Sequence, residues 1–233
     1  MVTTSQPVNY PDSDGQPMAD NTKQFEAIVY LKKGFDLLFS NASNVFVAGD
    51  LLWYPVQGNN KLRQAPDVMI VFGRPKGDRG SYQQWKEDNI CPQVVFEVIS
   101  PGNTIPEMSR KFQFYDRYGV EEYYIYDPDR QSLDGFIRRN GSLETIEEIE
   151  EWVSPRLMVC FRLSRNGQLI LYRLDGQPFE TYEQMAERVQ QEQARAEREQ
   201  ARAEREQARA EAAEQEIERL KAQIKALEQQ SND

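Results

Sequence analysis

The sequence predicts an α/β fold, a mixed α+β sheet with flanking helices, followed by a long C-terminal helix. Three observations carry this reading: a strand, helix and strand unit between Val94 and Tyr126, several other short apolar segments set off by Gly, Pro and Asn, and a seven-residue repeat near the C-terminus.

Residues 1–18 are rich in Pro, Ser, Asp and Gly, bury too little apolar surface to offset ordering entropy, and are expected to form a disordered or irregular arm. A domain is expected over 19–178. It opens with a helix from Asn21, because Phe25, Ile28, Val29, Leu31, Phe35, Leu38 and Phe39 recur at helical spacing behind Asp20 or Asn21 as cap. Strands follow at Val45–Val47, Leu51–Tyr54, Val68–Phe72 and Val94–Ile99. The last reads VVFEVI, apolar on both faces apart from one glutamate, as a central strand should. Glu107–Tyr118 places Met108, Phe112 and Tyr115 on one helical face, and Gly119 stops that helix before the strand Glu122–Tyr126. The unit implies a right-handed parallel crossover. Leu133–Arg138, Leu143–Ile146, Val159–Leu163 and Leu169–Leu174 read as shorter antiparallel strands flanking the main sheet.

From 179 to the end a long helix is expected, since no Gly or Pro occurs from Tyr182 through Gln230 and QARAERE repeats at 193–199 and 200–206, with QARAEAA at 207–213. One seam position takes Ala196, Ala203, Ala210, Ile217 and Ile224; the other takes Glu199, Glu206, Ala213, Leu220 and Leu227. The seam is apolar only from Ala210 to Leu227. Two readings stay open for this stretch, a short homotypic coiled coil giving a homodimer or pairing with a partner helix, and a charged helix bathed in solvent.

Composition removes many chemistries. The chain of 233 residues has 28 Lys+Arg against 38 Asp+Glu, a formal charge of −10, so a surface that coats nucleic acid broadly is not expected. It has no histidine, which excludes Ser-His-Asp triads, Cys-His dyads, His-ligated zinc and a histidine base. The two cysteines, Cys91 and Cys160, are too few for a disulfide framework or a cysteine-only zinc site. With no apolar leader or spanning run, the chain is expected to be soluble, cytoplasmic and independent of membranes.

The chemistry left open is a magnesium or manganese ion held by carboxylates, which are hard oxygen ligands. Asp67 stands at the mouth of the strand Val68–Phe72, and Glu97 interrupts an apolar strand, where an ionised group is costly unless paired, hydrogen-bonded or metal-bound. On adjacent strands, both would converge on one ion. Against this, Glu97 could be a sheet-edge residue paired to Arg63, Arg110 or Lys111, and an Asp after Pro is commonly a turn residue. Lys111 could steady developing charge or orient a water, or be an ordinary solvated lysine. The loop Arg74-Pro75-Lys76-Gly77-Asp78-Arg79-Gly80, followed by Tyr82, Trp85 and Lys86, could grip phosphates while a ring stacks on a base, or could simply pack its aromatics on the core. Its glycines do not make a phosphate-binding loop for nucleoside triphosphates.

Ala65-Pro66-Asp67-Val68-Met69-Ile70-Val71, Val94-Val95-Phe96-Glu97-Val98-Ile99-Ser100-Pro101, Arg110-Lys111, Tyr118-Gly119-Val120-Glu121-Glu122-Tyr123-Tyr124-Ile125-Tyr126-Asp127-Pro128 and the Ala-Gly-Asp-Leu stretch at 48–51 occur in order. Together, over about residues 19–175, they resemble the bacterial family of putative restriction endonucleases in the PD-(D/E)XK nuclease superfamily. The resemblance implies a restriction-endonuclease-like core, with Asp67 and Glu97 as catalytic magnesium ligands, the Val98 carbonyl as a further ligand and Asp50 as another participant. It also implies a DNA substrate, for which Arg74, Lys76, Arg79 and Arg110 are the candidate contacts. Where the superfamily has a lysine soon after the glutamate, this chain has Ser100, so the resemblance passes the lysine role to Lys111. The expected activity is a magnesium- or manganese-dependent endonuclease; the alternative is a nuclease-fold binding module with an impaired site, recruiting a partner through its tail. A purely structural filament is disfavoured, because only the tail carries heptads.

Overall fold

The computed structural model describes residues 8–230, with side chains through residue 224. Residues up to Phe179 form one compact unit and those from Glu180 a second.

In the first unit, helix α1 (Thr22–Leu38) begins where Asn21 accepts the Gln24 N–H on its side-chain oxygen at 2.9 Å, a cap of the kind worth about 1 kcal/mol. Strands β1 (Val45–Gly49), β3 (Val68–Phe72), β5 (Val94–Val98), β6 (Glu122–Asp127), β7 (Ser132–Arg139) and β8 (Ser142–Thr145) form a six-stranded sheet in the order β1-β3-β5-β6-β7-β8, with β2 (Trp53–Tyr54) and β4 (Tyr82–Gln83) as a small separate parallel pair. β5 and β6 are parallel, joined by helix α2 (Ile105–Arg117), while the other neighbours in the large sheet are antiparallel. α2 starts earlier than its apolar face suggests, because Thr104 and Glu107 form a reciprocal capping box and Pro106 suits the first turn.

The remaining departures from expectation are local. The segment Leu51–Tyr54 keeps only two strand residues before Pro55, and its partner β4 has no apolar run to announce it. β7 and β8 extend the main sheet, but β9 (Val159–Leu163) and β10 (Leu169–Arg173) form a hairpin of their own. Its inward residues Phe161 and Leu171 join Ile28, Leu31 and Phe35 of α1 on one face of the sheet, over Val94, Phe96 and Val98. The opposite face packs α2, β2 and β4 through Tyr115, Trp53 and Tyr82 on Met69, Val71, Val95 and Tyr123. This alternation follows the two-residue period of a strand. It assigns Asp67 and Glu97 to the α2 face.

The arm has no helix or strand over its described part, as an irregular segment should, but it is anchored at Asn9–Pro11, where Tyr10 packs against Tyr54 and Trp85. Residues 1–7 lie outside the described residues.

The second unit is helix α3 (Tyr182–Gln230), capped by Thr181, whose Oγ1 accepts from the Gln184 N–H at 3.3 Å. Pairs such as Arg195–Glu199 at 2.9 Å and Arg202–Glu206 at 3.0 Å line its surface, each worth a few tenths of a kcal/mol, about 0.2–0.5. Ile217, Leu220 and Ile224 are exposed at seam spacing; the Leu227 side chain lies outside the described residues. No described helix is long and apolar enough to cross a membrane.

Candidate active site

Strand register brings three carboxylates into a row. β3 pairs β5 with Val68 opposite Phe96, so one more residue sets Asp67 opposite Glu97. β1 pairs β3 with Gly49 opposite Val68, so the next step sets Asp50 beside Asp67, and the Asp50 N–H indeed donates to the carbonyls of Pro66 and Asp67 at 3.1 and 3.2 Å. Asp50 turns the chain out of β1 with φ of +48°, a conformation that Asp tolerates better than most residues. Glu97 is therefore not at a sheet edge; β5 is the third of six strands.

α2 crosses this row and contributes Lys111 and Tyr115, one turn apart on the same face. The Lys111 ammonium donates to Glu97 Oε2 at 2.7 Å, and the Tyr115 hydroxyl donates to Glu97 Oε1. The pair is largely shielded: the Lys111 side chain is 13% exposed and that of Glu97 2%. Lys111 is thus no solvated lysine. Asp67 is 8% exposed, and its Oδ2 accepts the Val98 N–H at 2.6 Å. On the other side of β5, the Val98 carbonyl accepts from Gln24 Nε2 of α1 at 2.9 Å.

The electrostatics follow from three acids facing one ammonium. Burial, then the charge of Glu97, pushes the Asp67 carboxyl well above its ordinary value; Asp50 adds to the rise, while Lys111 and the Val98 N–H oppose it. Asp50 is raised by burial, then by Asp14 and Glu97. Burial works to lower the Lys111 pKa, but Glu97 and Asp67 outweigh it and hold the ammonium above its usual value. Tyr115 is driven well above the usual phenol range by burial and then by Glu97, so it stays a hydrogen-bond donor.

Among the described residues, no group of three or more His, Cys, Asp or Glu side chains is gathered as a ready-made metal cage. The donor chemistry nevertheless fits a hard cation of the magnesium type, which commonly takes one or two carboxylates and fills its other positions with water and phosphate oxygens. Asp67 and Glu97 supply those carboxylates, the Val98 carbonyl keeps a second lone pair, and a cation would relieve both the burial of the Asp67 carboxyl and its repulsion by Glu97, which together raise its pKa.

After Glu97 come Val98, Ile99 and Ser100, none of them cationic. Ser100 serves another purpose: its hydroxyl donates to Asp20 Oδ2 at 2.5 Å and its N–H to Asn103 Oδ1 at 2.8 Å, tying the entry of α1 to the loop before α2.

The proposed nucleic-acid cations are placed differently. Arg74 is bound to Glu87 at 2.8 Å and to Asp88, Arg79 to Glu87 at 2.7 Å, and Lys76 donates to the Phe39 and Ser40 carbonyls at 2.6 and 3.0 Å beyond the end of α1. Arg79 also lies 4.0 Å over the Phe46 ring. These contacts fold the loop onto the domain. Arg110 is exposed on α2, next to Lys111.

Sequence reasoning missed two groups. Tyr115 read as an apolar face residue, although its position four residues after Lys111 would have placed both on one carboxylate. Gln24 carried no signal, since nothing in a sequence says that a helix amide will meet a strand carbonyl from another element.

Residues 18–166 match the model of the Uma2 family, described as "Putative restriction endonuclease". Among solved structures, the chain is similar to a crystal structure of a putative nuclease belonging to DUF820 from Anabaena variabilis ATCC 29413, with 13% identity, 62% of this chain and 80% of that chain covered, and a TM-score of 0.46. A search of curated proteins gave no match. With its Asp67, Glu97 and Lys111 segments all inside the matched span, the chain belongs to the Uma2 family.

Proposed function

We propose that this chain is a magnesium- or manganese-dependent endonuclease that hydrolyses DNA phosphodiester bonds. The observation that carries the reading is the convergence of Asp67, Glu97 and Lys111, drawn from two strands and a helix, at one shielded end of the sheet. Family membership supports it. Asp67 and Glu97 would hold the cation, with the Val98 carbonyl and Asp50 as further oxygen donors. When bound, the cation supplies Lewis acidity to the phosphoryl oxygen and lowers the pKa of its water. Lys111 stays protonated and offers a fixed positive charge to the phosphoryl oxygens as negative charge builds on them in the pentacoordinate transition state. Tyr115 orients Glu97, and Gln24 fixes the Val98 carbonyl. Arg110, exposed beside Lys111, is the loop-independent cation for the DNA backbone.

α3 makes the chain a homodimer in this reading, through the exposed ridge of Ile217, Leu220 and Ile224.

Incubation of supercoiled plasmid with magnesium or manganese, beside Glu97→Ala and an EDTA control, tests the activity. Nicking by metal-loaded wild type alone is expected. A second reading, a binding module with an impaired site, is favoured by one observation: both Glu97 oxygens are already engaged by Lys111 and Tyr115. Folded protein that neither nicks nor binds magnesium in calorimetry would favour that reading over the nuclease.

A further inference from the structure

The N-terminal arm contains few apolar residues, yet its course is fixed at one place. Tyr10 packs between Tyr54, at 5.2 Å and nearly edge-on, and Trp85, at 4.8 Å and tilted. Three hydrogen bonds secure it: the Tyr54 hydroxyl to the Pro11 carbonyl at 2.7 Å, the Gly58 N–H to the Tyr10 hydroxyl at 2.5 Å, and Asn60 Nδ2 to the Asn9 carbonyl at 2.8 Å. Beyond the ring the arm turns acidic and exposed. The Asp12 carboxylate lies so close to Gly80 that a side chain there would collide with it.

The walls of this cleft differ from the neighbouring basic loop. Arg74 and Arg79 are neutralised by Glu87 and Asp88. Arg63, by contrast, donates only to two uncharged oxygens, those of the Tyr54 hydroxyl and the Asn60 carbonyl, each at 3.4 Å. Lys61 and Lys86 are exposed, and neither they nor Arg63 forms an ion pair among the described residues. An aromatic slot flanked by unspent cations is the arrangement that holds single-stranded nucleic acid, with a base stacked and its phosphates neutralised.

We propose that the Tyr54–Trp85 cleft is a stacking subsite for a base of a DNA strand, and that the arm is its displaceable occupant, with Tyr10 in the place of the base and Asp12 and Asp14 in the place of phosphates. This rests on the nuclease reading for the identity of the ligand. Downstream the arm leads to Asp20, whose Oδ2 accepts from the hydroxyl of Ser100, three residues after Glu97, so a strand that displaces the arm gains a path to the carboxylates. The arm's ordered fraction then acts as a tax on apparent affinity.

The test is fluorescence anisotropy of a fluorescein-labelled single-stranded DNA oligonucleotide with the full chain in EDTA, where cutting is prevented. Tyr10→Ala is expected to tighten binding about tenfold, the scale of one lost competing stack. Trp85→Ala in the Tyr10→Ala background should reverse that gain. Asp12→Asn with Asp14→Asn leaves the Tyr10 anchor alone and should tighten binding several-fold, while exposed Lys61→Glu should weaken it. An arm that merely braces the surface predicts no gain from Tyr10→Ala, and that result overturns the proposal. Plasmid nicking by wild type is scored separately. Nicking with no Tyr10 effect defeats the displaceable arm alone, whereas absence of both nicking and oligonucleotide binding defeats the nuclease reading with it.

Discussion

Replacing Asp67 by asparagine separates what this residue costs the fold from what it does in the site. Asp67 is 8% exposed, faces Glu97 and Asp50, and has its carboxyl pushed well above the ordinary range. Its folded pKa thus exceeds its unfolded one, so over the interval between them the folded state binds the extra proton. Stability then falls as pH rises through that interval, and the loss is complete above the folded pKa. The asparagine side chain carries no such charge, and its oxygen can still accept the Val98 N–H that Asp67 Oδ2 accepts now at 2.6 Å. Burial and the charge of Glu97 both act against the ionised form, so Asp67→Asn is expected to be more stable than wild type at neutral pH in EDTA, by an amount within the roughly 0.5–3 kcal/mol that single substitutions typically move a domain. Lys111, which opposes the shift, keeps the figure at the lower end. Urea unfolding followed by tryptophan fluorescence, in EDTA across a pH series, provides the measurement. The two proteins should converge in acid below the ordinary Asp range, where the residue is protonated in both states. They should separate as pH rises. Magnesium should then stabilise the wild type and leave the variant unmoved. A variant less stable than wild type at neutral pH, or a gap that ignores pH, would refute the electrostatic account of the carboxylate row.

Tyr115→Phe removes the hydroxyl donated to buried Glu97 while keeping the ring among Trp53, Phe114 and Tyr123. A hydrogen bond to a charged group is worth about 1.5–3 kcal/mol; unfolding should show that loss and plasmid nicking should slow about tenfold, whereas unchanged values in both would remove Tyr115 from the site. For α3, deleting residues 180–233 should leave the compact unit before Glu180 folded and lower the number of chains per particle seen in sedimentation velocity. Ile217→Lys in the full chain should likewise reduce the assembly to single chains, since it places a charge on the exposed ridge; an unchanged number of chains per particle in all three proteins would refute the dimer.

Much of the fold is written locally. The period of Ile28, Leu31 and Phe35 specifies α1 and the runs at 68–72 and 94–98 specify the central strands, because each pattern reports which face a short segment must bury; the long stretch without Gly or Pro specifies α3. Asp67 and Glu97 were legible for a related reason: a carboxylate inside or leading an apolar strand needs a compensating partner. The β2–β4 pair and the separate β9–β10 hairpin were not, since two-residue pairings and the choice between joining a sheet and covering it depend on neighbours far along the chain.

The sequence by itself thus determined the elements, the family-bearing motifs and the exclusion of histidine chemistry, all properties of residue type and spacing. Only the tertiary structure decided that Glu97 is met by Lys111 and Tyr115 from a helix, that Gln24 reaches the Val98 carbonyl, and that Arg74 and Arg79 are consumed by Glu87. It likewise decided that the arm, expected to be disordered or irregular, packs its Tyr10 ring on Tyr54 and Trp85. The physical reason is the same in each case. A charge or ring announces its need locally, but the partner that meets the need is fixed by register and packing between segments distant in sequence.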